Sequence, residues 1–96
     1  MSKFVLSFRV PADVTAGPNV EAEWGQWFGK LGEAVVDFGQ RVGQVEVLGS
    51  KLPDQLGGYV VIEAPDMQAA VAVAGGCPGL NYGGGVEVGA AVPMAM

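Results

Sequence analysis

The hydrophobic period changes once in the first forty residues, and that change restricts the fold more than any other feature. Over 3–10 the chain alternates, with Phe4, Leu6, Phe8 and Val10 on one side and Lys3, Val5, Ser7 and Arg9 on the other. This is the period of a half-buried strand, and Pro11 ends it. From Val20 onward the apolar residues instead fall at Trp24, Trp27, Phe28, Leu31, Val35 and Phe38, spacings that line one face of a helix. The pattern predicts a helix over 20–38, with Asn19 as N-cap, Glu21 and Glu23 at the positive end of its dipole, and Gly39 as its stop. Gly25, Gly29 and Gly32 each weaken such a helix by about 1 kcal/mol relative to alanine. Packing, rather than propensity, must hold it.

The remaining elements follow from shorter signals. Residues 40–48 read as a second strand, with Val45 and Val47 opposed to Gln44, Glu46 and Leu48. A polar turn region containing Pro53 and Asp54 leads through Gly57 and Gly58 to a β-branched, aromatic third strand over 59–64. Pro65 and Asp66 read as a stop and an N-cap for a short helix over 67–74, whose Ala and Val side chains allow close approach to a sheet. The stretch 75–88 ends that helix at Gly75 and Gly76, turns at Cys77, Pro78, Gly79 and Leu80, and enters a fourth strand over 85–92. The glycines at 83–85 precede a strand and not a helix N-terminus, so they suit a turn better than a phosphate cradle. Residues 93–96 are expected to be a loose tail.

At 96 residues the chain supports one domain, 1–96, around one modest core. Five Lys and Arg against ten Asp and Glu leave a net charge of −5, which provides no basic stripe for nucleic acid. No apolar run reaches the roughly 18 to 20 residues that span a bilayer, so no membrane association is expected. There is no His and a single Cys, so neither an internal disulfide nor a transition-metal site is expected, and no cofactor is implied. With no signal-peptide pattern at its start, the chain is expected to be cytoplasmic.

Strand, helix, strand, strand, helix, strand is the ferredoxin-like, split βαβ order, an α+β fold. Both helices then cover one face of a four-stranded antiparallel sheet. The other face stays open, lined by Val5, Ser7 and Arg9 with members of the set Tyr59, Val61, Glu63 and Glu87. A face of mixed polarity with charges of both signs suits self-association, and a symmetric homodimer through that face is expected.

Four segments carry a family resemblance: Glu23-Trp24-Gly25-Gln26-Trp27-Phe28-Gly29-Lys30-Leu31-Gly32, Val35-Val36-Asp37-Phe38-Gly39, Gly58-Tyr59-Val60-Val61-Ile62-Glu63-Ala64, and the glycine-rich stretch through Glu87 and Val88. In this order they resemble the YCII-related family, in its Trp-rich branch. The resemblance implies a dimeric α+β barrel with a site between sheet and helices. Better-studied members pair a His with an Asp there. This chain matches the acid with Asp37 and has no His to pair with it.

Candidate site residues follow, each with a structural alternative. Asp37, between Val36 and Phe38, is either a solvated last-turn residue or a general base turned into a pocket. Arg9, with Glu63 or Glu87 expected beside it on the open face, either forms a structural salt bridge across the dimer interface or clamps a substrate carboxylate. Tyr59 is a core or interface residue or a hydroxyl donor to a ligand, and Trp24, Trp27 and Phe28 are core or the wall of an aromatic site. Cys77 lacks a base or helix N-terminus to activate it and is not expected to be a nucleophile. Two functions remain open: a homodimer binding a small anionic or aromatic molecule, with lyase- or isomerase-type acid–base chemistry within its reach, and a non-catalytic dimerisation or protein-interaction module.

Overall fold

The computed structural model describes residues 1–11, 20–50 and 53–93. In chain order the elements are β1 (Ser2–Pro11), α1 (Val20–Leu31), a 3-10 turn at Gly32–Ala34, β2 (Val35–Arg41), β3 (Asp54–Ala64), α2 (Met67–Ala74), a 3-10 helix at Pro78–Tyr82, and β4 (Gly85–Ala90). The sheet order is β2-β3-β1-β4, and every neighbouring pair is antiparallel. This is the expected ferredoxin-like α+β fold. The expected N-cap, Asn19, and the tail residues beyond Pro93 lie outside the described residues.

Alternation in β1 builds the core. Phe4, Leu6 and Phe8 sit opposite Ile62, Val60 and Gly58 of β3, and residues directly opposite share a face. That face is the buried one, because Phe4, Leu6, Val60 and Ile62 join Trp27 of α1 and Ala70 and Ala74 of α2 in a single cluster. Both helices therefore lie on the same side of the sheet. Val10 leaves the pattern and is exposed, because the register slips between Phe8 and Arg9.

Helix α2 starts where expected. The Asp66 carboxylate accepts a hydrogen bond from the Ala69 N–H at 2.8 Å, which satisfies one of the free amides of the first turn. Ala70 and Ala74 are fully or almost fully buried, so their lack of bulk is what lets the helix sit low on the sheet.

The long helix predicted over 20–38 is not formed. It ends at Leu31, and Val35 begins β2. Gly32 takes a left-handed φ of 53°, a conformation that terminates a helix and that glycine adopts without steric cost. Beyond it Val35 pairs with Ile62 and Asp37 with Val61, so the β-branched pair Val35-Val36 goes into the sheet. Gly39 is consequently no helix stop but part of a bulge, at φ 64°. The second strand occupies 35–41 in place of 40–48, the third begins at Asp54 in place of Tyr59, and the fourth ends at Ala90 in place of Val92.

Gly25 and Gly29 lie inside α1 with open space where a Cβ would go. Replacing either with alanine is expected to stabilise the protein by about 0.5 to 1 kcal/mol, through propensity alone. Urea midpoints of the two variants check this, and a destabilised Gly25→Ala would mean that the face carrying it is covered.

Candidate functional site

The sheet divides the six candidate residues into two groups. Trp24, Trp27 and Phe28 project from α1 onto the core face, where they form an edge-to-face aromatic cluster with Phe8. Ring centroids lie 4.9 Å apart for Phe8 and Trp24, 5.7 Å for Phe8 and Trp27, and 5.2 Å for Trp27 and Phe28. Perpendicular rings at such distances place positive edges on negative faces, a favourable quadrupole arrangement. The cluster extends to Phe38 on β2, 6.1 Å from Phe28.

Arg9, Asp37 and Tyr59 belong to the open face. Tyr59 is opposite Ser7 in β1 and Gln40 in β2, and Asp37 is opposite Val61. Within one chain, then, the aromatic wall and the polar groups do not surround a common pocket, since a layer of backbone lies between them. Asp37 stands on an edge strand rather than at a helix end. The misplacement follows directly from the helix that stops at Leu31.

Each polar member of the second group has a local partner or task. Arg9 Nη2 donates to Glu87 Oε1 at 2.6 Å, across β1 and β4, where Ser7 is the direct partner of Glu87 and Arg9 its diagonal neighbour. Glu87, one of the two acids expected beside Arg9, is the partner, and the bridge lies within one chain where one across a dimer interface was expected. Asp37 is exposed, and its Oδ1 accepts from the Gly39 N–H at 2.8 Å. That bond closes a local turn that steers the bulge, the kind of side-chain to backbone bond that Asp commonly makes two residues on. Tyr59 is half-buried, with its ring against the α-carbon of Gly39.

A cleft that sequence reasoning missed lies on the helix side, between α1 and the 3-10 helix Pro78–Tyr82. It has a volume of about 250 Å³ and is lined by Glu23, Gln26, Trp27, Lys30, Gly76, Pro78 and Asn81. Its outer wall is pinned by the Tyr82 hydroxyl, which donates to Glu23 Oε2 at 2.6 Å. This bond, with the nearby negative charge of Glu23, raises the Tyr82 phenol above its ordinary value. The signal was present in the sequence: Glu23, Trp27 and Lys30 recur at helical spacing on one face, with a charge at either end of an indole.

Cys77 precedes the 3-10 helix, so it does adjoin a helix start, contrary to the sequence reading. Burial pushes the Cys77 thiol above its ordinary value of 9.0, and the neighbouring Gly79 and Leu80 backbone amides offset only part of that. The thiol is buried among core residues, and a desolvated neutral thiol is a poor nucleophile. The folded chain therefore holds this proton to higher pH than the unfolded chain does. Its contribution to stability is fully present below about pH 9 and is lost as pH rises through the folded pKa. Urea titrations of wild type and Cys77→Ala at neutral pH and above pH 9 should show a shallower alkaline loss in the variant. Equal slopes would mean that the thiol does not sense folding.

Among the described residues no three acidic, His or Cys side chains converge as a metal site, and no helix is long and apolar enough to cross a membrane. A family model for the YCII-related domain matches residues 6–94, nearly the whole chain, and the protein belongs to that family. No curated protein and no solved structure matches it.

Proposed function

Taking membership of the YCII-related family as premise, we propose that this chain is a homodimeric binding module of the cytoplasm, its two copies meeting through their open sheet faces as a dimeric α+β barrel. The composition of that face carries the reading. Both helices occupy the opposite side, and on the open side Val5, Ser7, Tyr59 and Val61 are all half-buried, beside the Arg9–Glu87 ion pair. Apolar surface gains free energy by leaving water, at about 25 cal/mol per Å². A twofold contact asks only that the face complement itself, and a face with both signs of charge can do so. Prepairing Arg9 with Glu87 spares the interface an unpaired charge.

Light scattering should give twice the chain mass at micromolar concentration. Arg9→Ala leaves Glu87 unpaired in the interface and should weaken the dimer by at least about thirtyfold, the lower edge of what losing one partner of a buried pair costs. A monomeric wild type at high micromolar concentration would end this reading.

The small-molecule component of the proposal belongs to the cleft beside α1, where Lys30 supplies the one cation, Gln26 and Asn81 supply amides, and the Trp27 indole forms a wall. Its size, a little under the roughly 300 Å³ at which ligand pockets begin, fits a small anionic or aromatic molecule. Asp37 has a structural task in the bulge, which favours binding without turnover over acid–base catalysis. A thermal-shift screen of organic acids and aromatic metabolites tests this, since a ligand at 100 times its Kd adds about 2.7 kcal/mol. A hit abolished by Lys30→Ala places the ligand in the cleft. A hit that survives Lys30→Ala and is lost on Asp37→Ala would move it to the open face.

A further inference from the structure

The cleft between α1 and the 3-10 helix Pro78–Tyr82 contains a hydrogen-bond donor with nothing to donate to. Trp27 is 6% exposed, and its indole N–H makes no hydrogen bond among the described residues. A tryptophan this deep normally gives its N–H to a partner. Among those same residues no sealed side-chain nitrogen or oxygen is left orphaned, so solvent reaches this one. Gly76 makes the opening: a Cβ there would lie 3.1 Å from Trp27 Nε1 and 3.4 Å from Cδ1. Both residues line the cleft, and the N–H therefore points its proton into the cleft rather than into the core.

Two opposite charges stand on either side of that donor without meeting. Glu23 belongs to the first turn of α1 and Lys30 to the last, both line the cleft, and at 1.5 Å per residue they are about 10 Å apart along the helix axis. No ion pair joins them to each other or to any other described residue. Glu23 accepts from the Tyr82 hydroxyl through Oε2 at 2.6 Å, which holds the carboxylate in place and leaves Oε1 free. A simple anion on Lys30 would leave Glu23 unanswered, and a neutral aromatic would leave both charges and the N–H unanswered.

We propose that the cleft takes an ω-amino carboxylate, with its ammonium on Glu23, its carboxylate shared between Lys30 Nζ and the Trp27 N–H, and its methylenes along the indole edge; this rests on the small-molecule reading of the cleft given above. Charge-assisted contacts of about 2.8 Å at each end leave roughly 5 Å between the charged groups of the ligand. Three or four carbons between nitrogen and carboxyl span that gap. An α-amino acid, whose two charged groups share one carbon, is too short to reach both ends. Gly76 is the specificity-determining position, because any side chain there covers the indole N–H.

Nuclear magnetic resonance of the nitrogen-labelled full chain tests this at the donor itself. The chain has two tryptophans and so two indole N–H peaks, which Trp24→Phe assigns. On titration with 5-aminopentanoate the Trp27 peak should shift and saturate, with a Kd at least about tenfold below those of pentanoate and pentylamine, each of which lacks one charge-assisted contact. Glu23→Gln keeps an oxygen for Tyr82 but removes the charge, and should bring 5-aminopentanoate and pentanoate to within about twofold of each other. Gly76→Ala should weaken 5-aminopentanoate by about tenfold or more, and if that variant does not fold, the Glu23→Gln comparison decides alone. Pentanoate or benzoate binding as tightly as 5-aminopentanoate, a preference that survives Glu23→Gln, or undiminished binding by folded Gly76→Ala overturns this ligand assignment and leaves the small-molecule cleft standing. A Trp27 peak that none of the four compounds moves at about 10 mM overturns both.

Discussion

Trp27→Ala is expected to cost about 3 to 5 kcal/mol, the range for emptying a buried aromatic site. Trp27 is the only buried residue of α1, and its ring meets Phe8, Trp24 and Phe28. Its Nε1 side lies against Gly76, where a Cβ would come within 3.1 Å. The indole therefore holds α1 both to β1 and to the turn after α2. In a domain of this size, at about 4 to 8 °C per kcal/mol, the melting point should fall by more than about 12 °C. Trp27→Phe keeps a ring in the cluster and should lose markedly less. An alanine variant less than about 1 kcal/mol weaker would mean that α1 is held from elsewhere.

Gly39→Ala is the second large effect. A Cβ there would lie 2.0 Å from the Tyr59 carbonyl oxygen and 2.8 Å from its carbonyl carbon, both backbone atoms that cannot swing aside. The left-handed conformation adds about 1 to 2 kcal/mol for any residue with a Cβ, and the clash must push β2 off β3, so a total loss of about 3 kcal/mol or more is expected. Gly32→Ala is the control. It has a similar φ of 53° with nothing within 4 Å, and should cost only the conformational part. Equal losses for the two variants in urea melts would show that the close approach to Tyr59 relaxes cheaply. The comparison bears on function too, because the bulge at Gly39 sets where Asp37 stands on the open face.

How far the fold was legible follows from where its signals are local. The alternation in β1 correctly assigned Phe4, Leu6 and Phe8 to the core, and the Asp66 cap with its run of small residues located α2 to the residue. The end of α1 was misread because a bulged strand imitates a helix. With register shifts on either side of Asp37, β2 spends extra residues per step of β3, and period two stretches toward three. Val35 and Phe38 consequently continued the helical stripe by coincidence, although Gly32 already carried the stop signal.

The candidate site was legible residue by residue and not as an assembly. Arg9 and Glu87 shared the open phase of their strands, and they bond at 2.6 Å within one chain, where a bridge across a dimer interface was expected. Trp24, Trp27 and Phe28 were correctly placed on one helix face, yet that face lies across the sheet from Asp37, Arg9 and Tyr59. The cleft beside Lys30 draws its far wall from Gly76, Pro78 and Asn81, some fifty residues away in the chain.

The amino-acid sequence by itself determined the order of elements, the fold class and the inward residues of β1, since each rests on local periodicity. Only the tertiary structure decided that 35–41 is strand, that Asp37 belongs to an edge and that the aromatic and polar groups part company. Those outcomes turn on whether β3 is present to accept the hydrogen bonds of residues 35–41. The energy that selects strand over helix there comes from a partner distant in sequence, and no local pattern contains it.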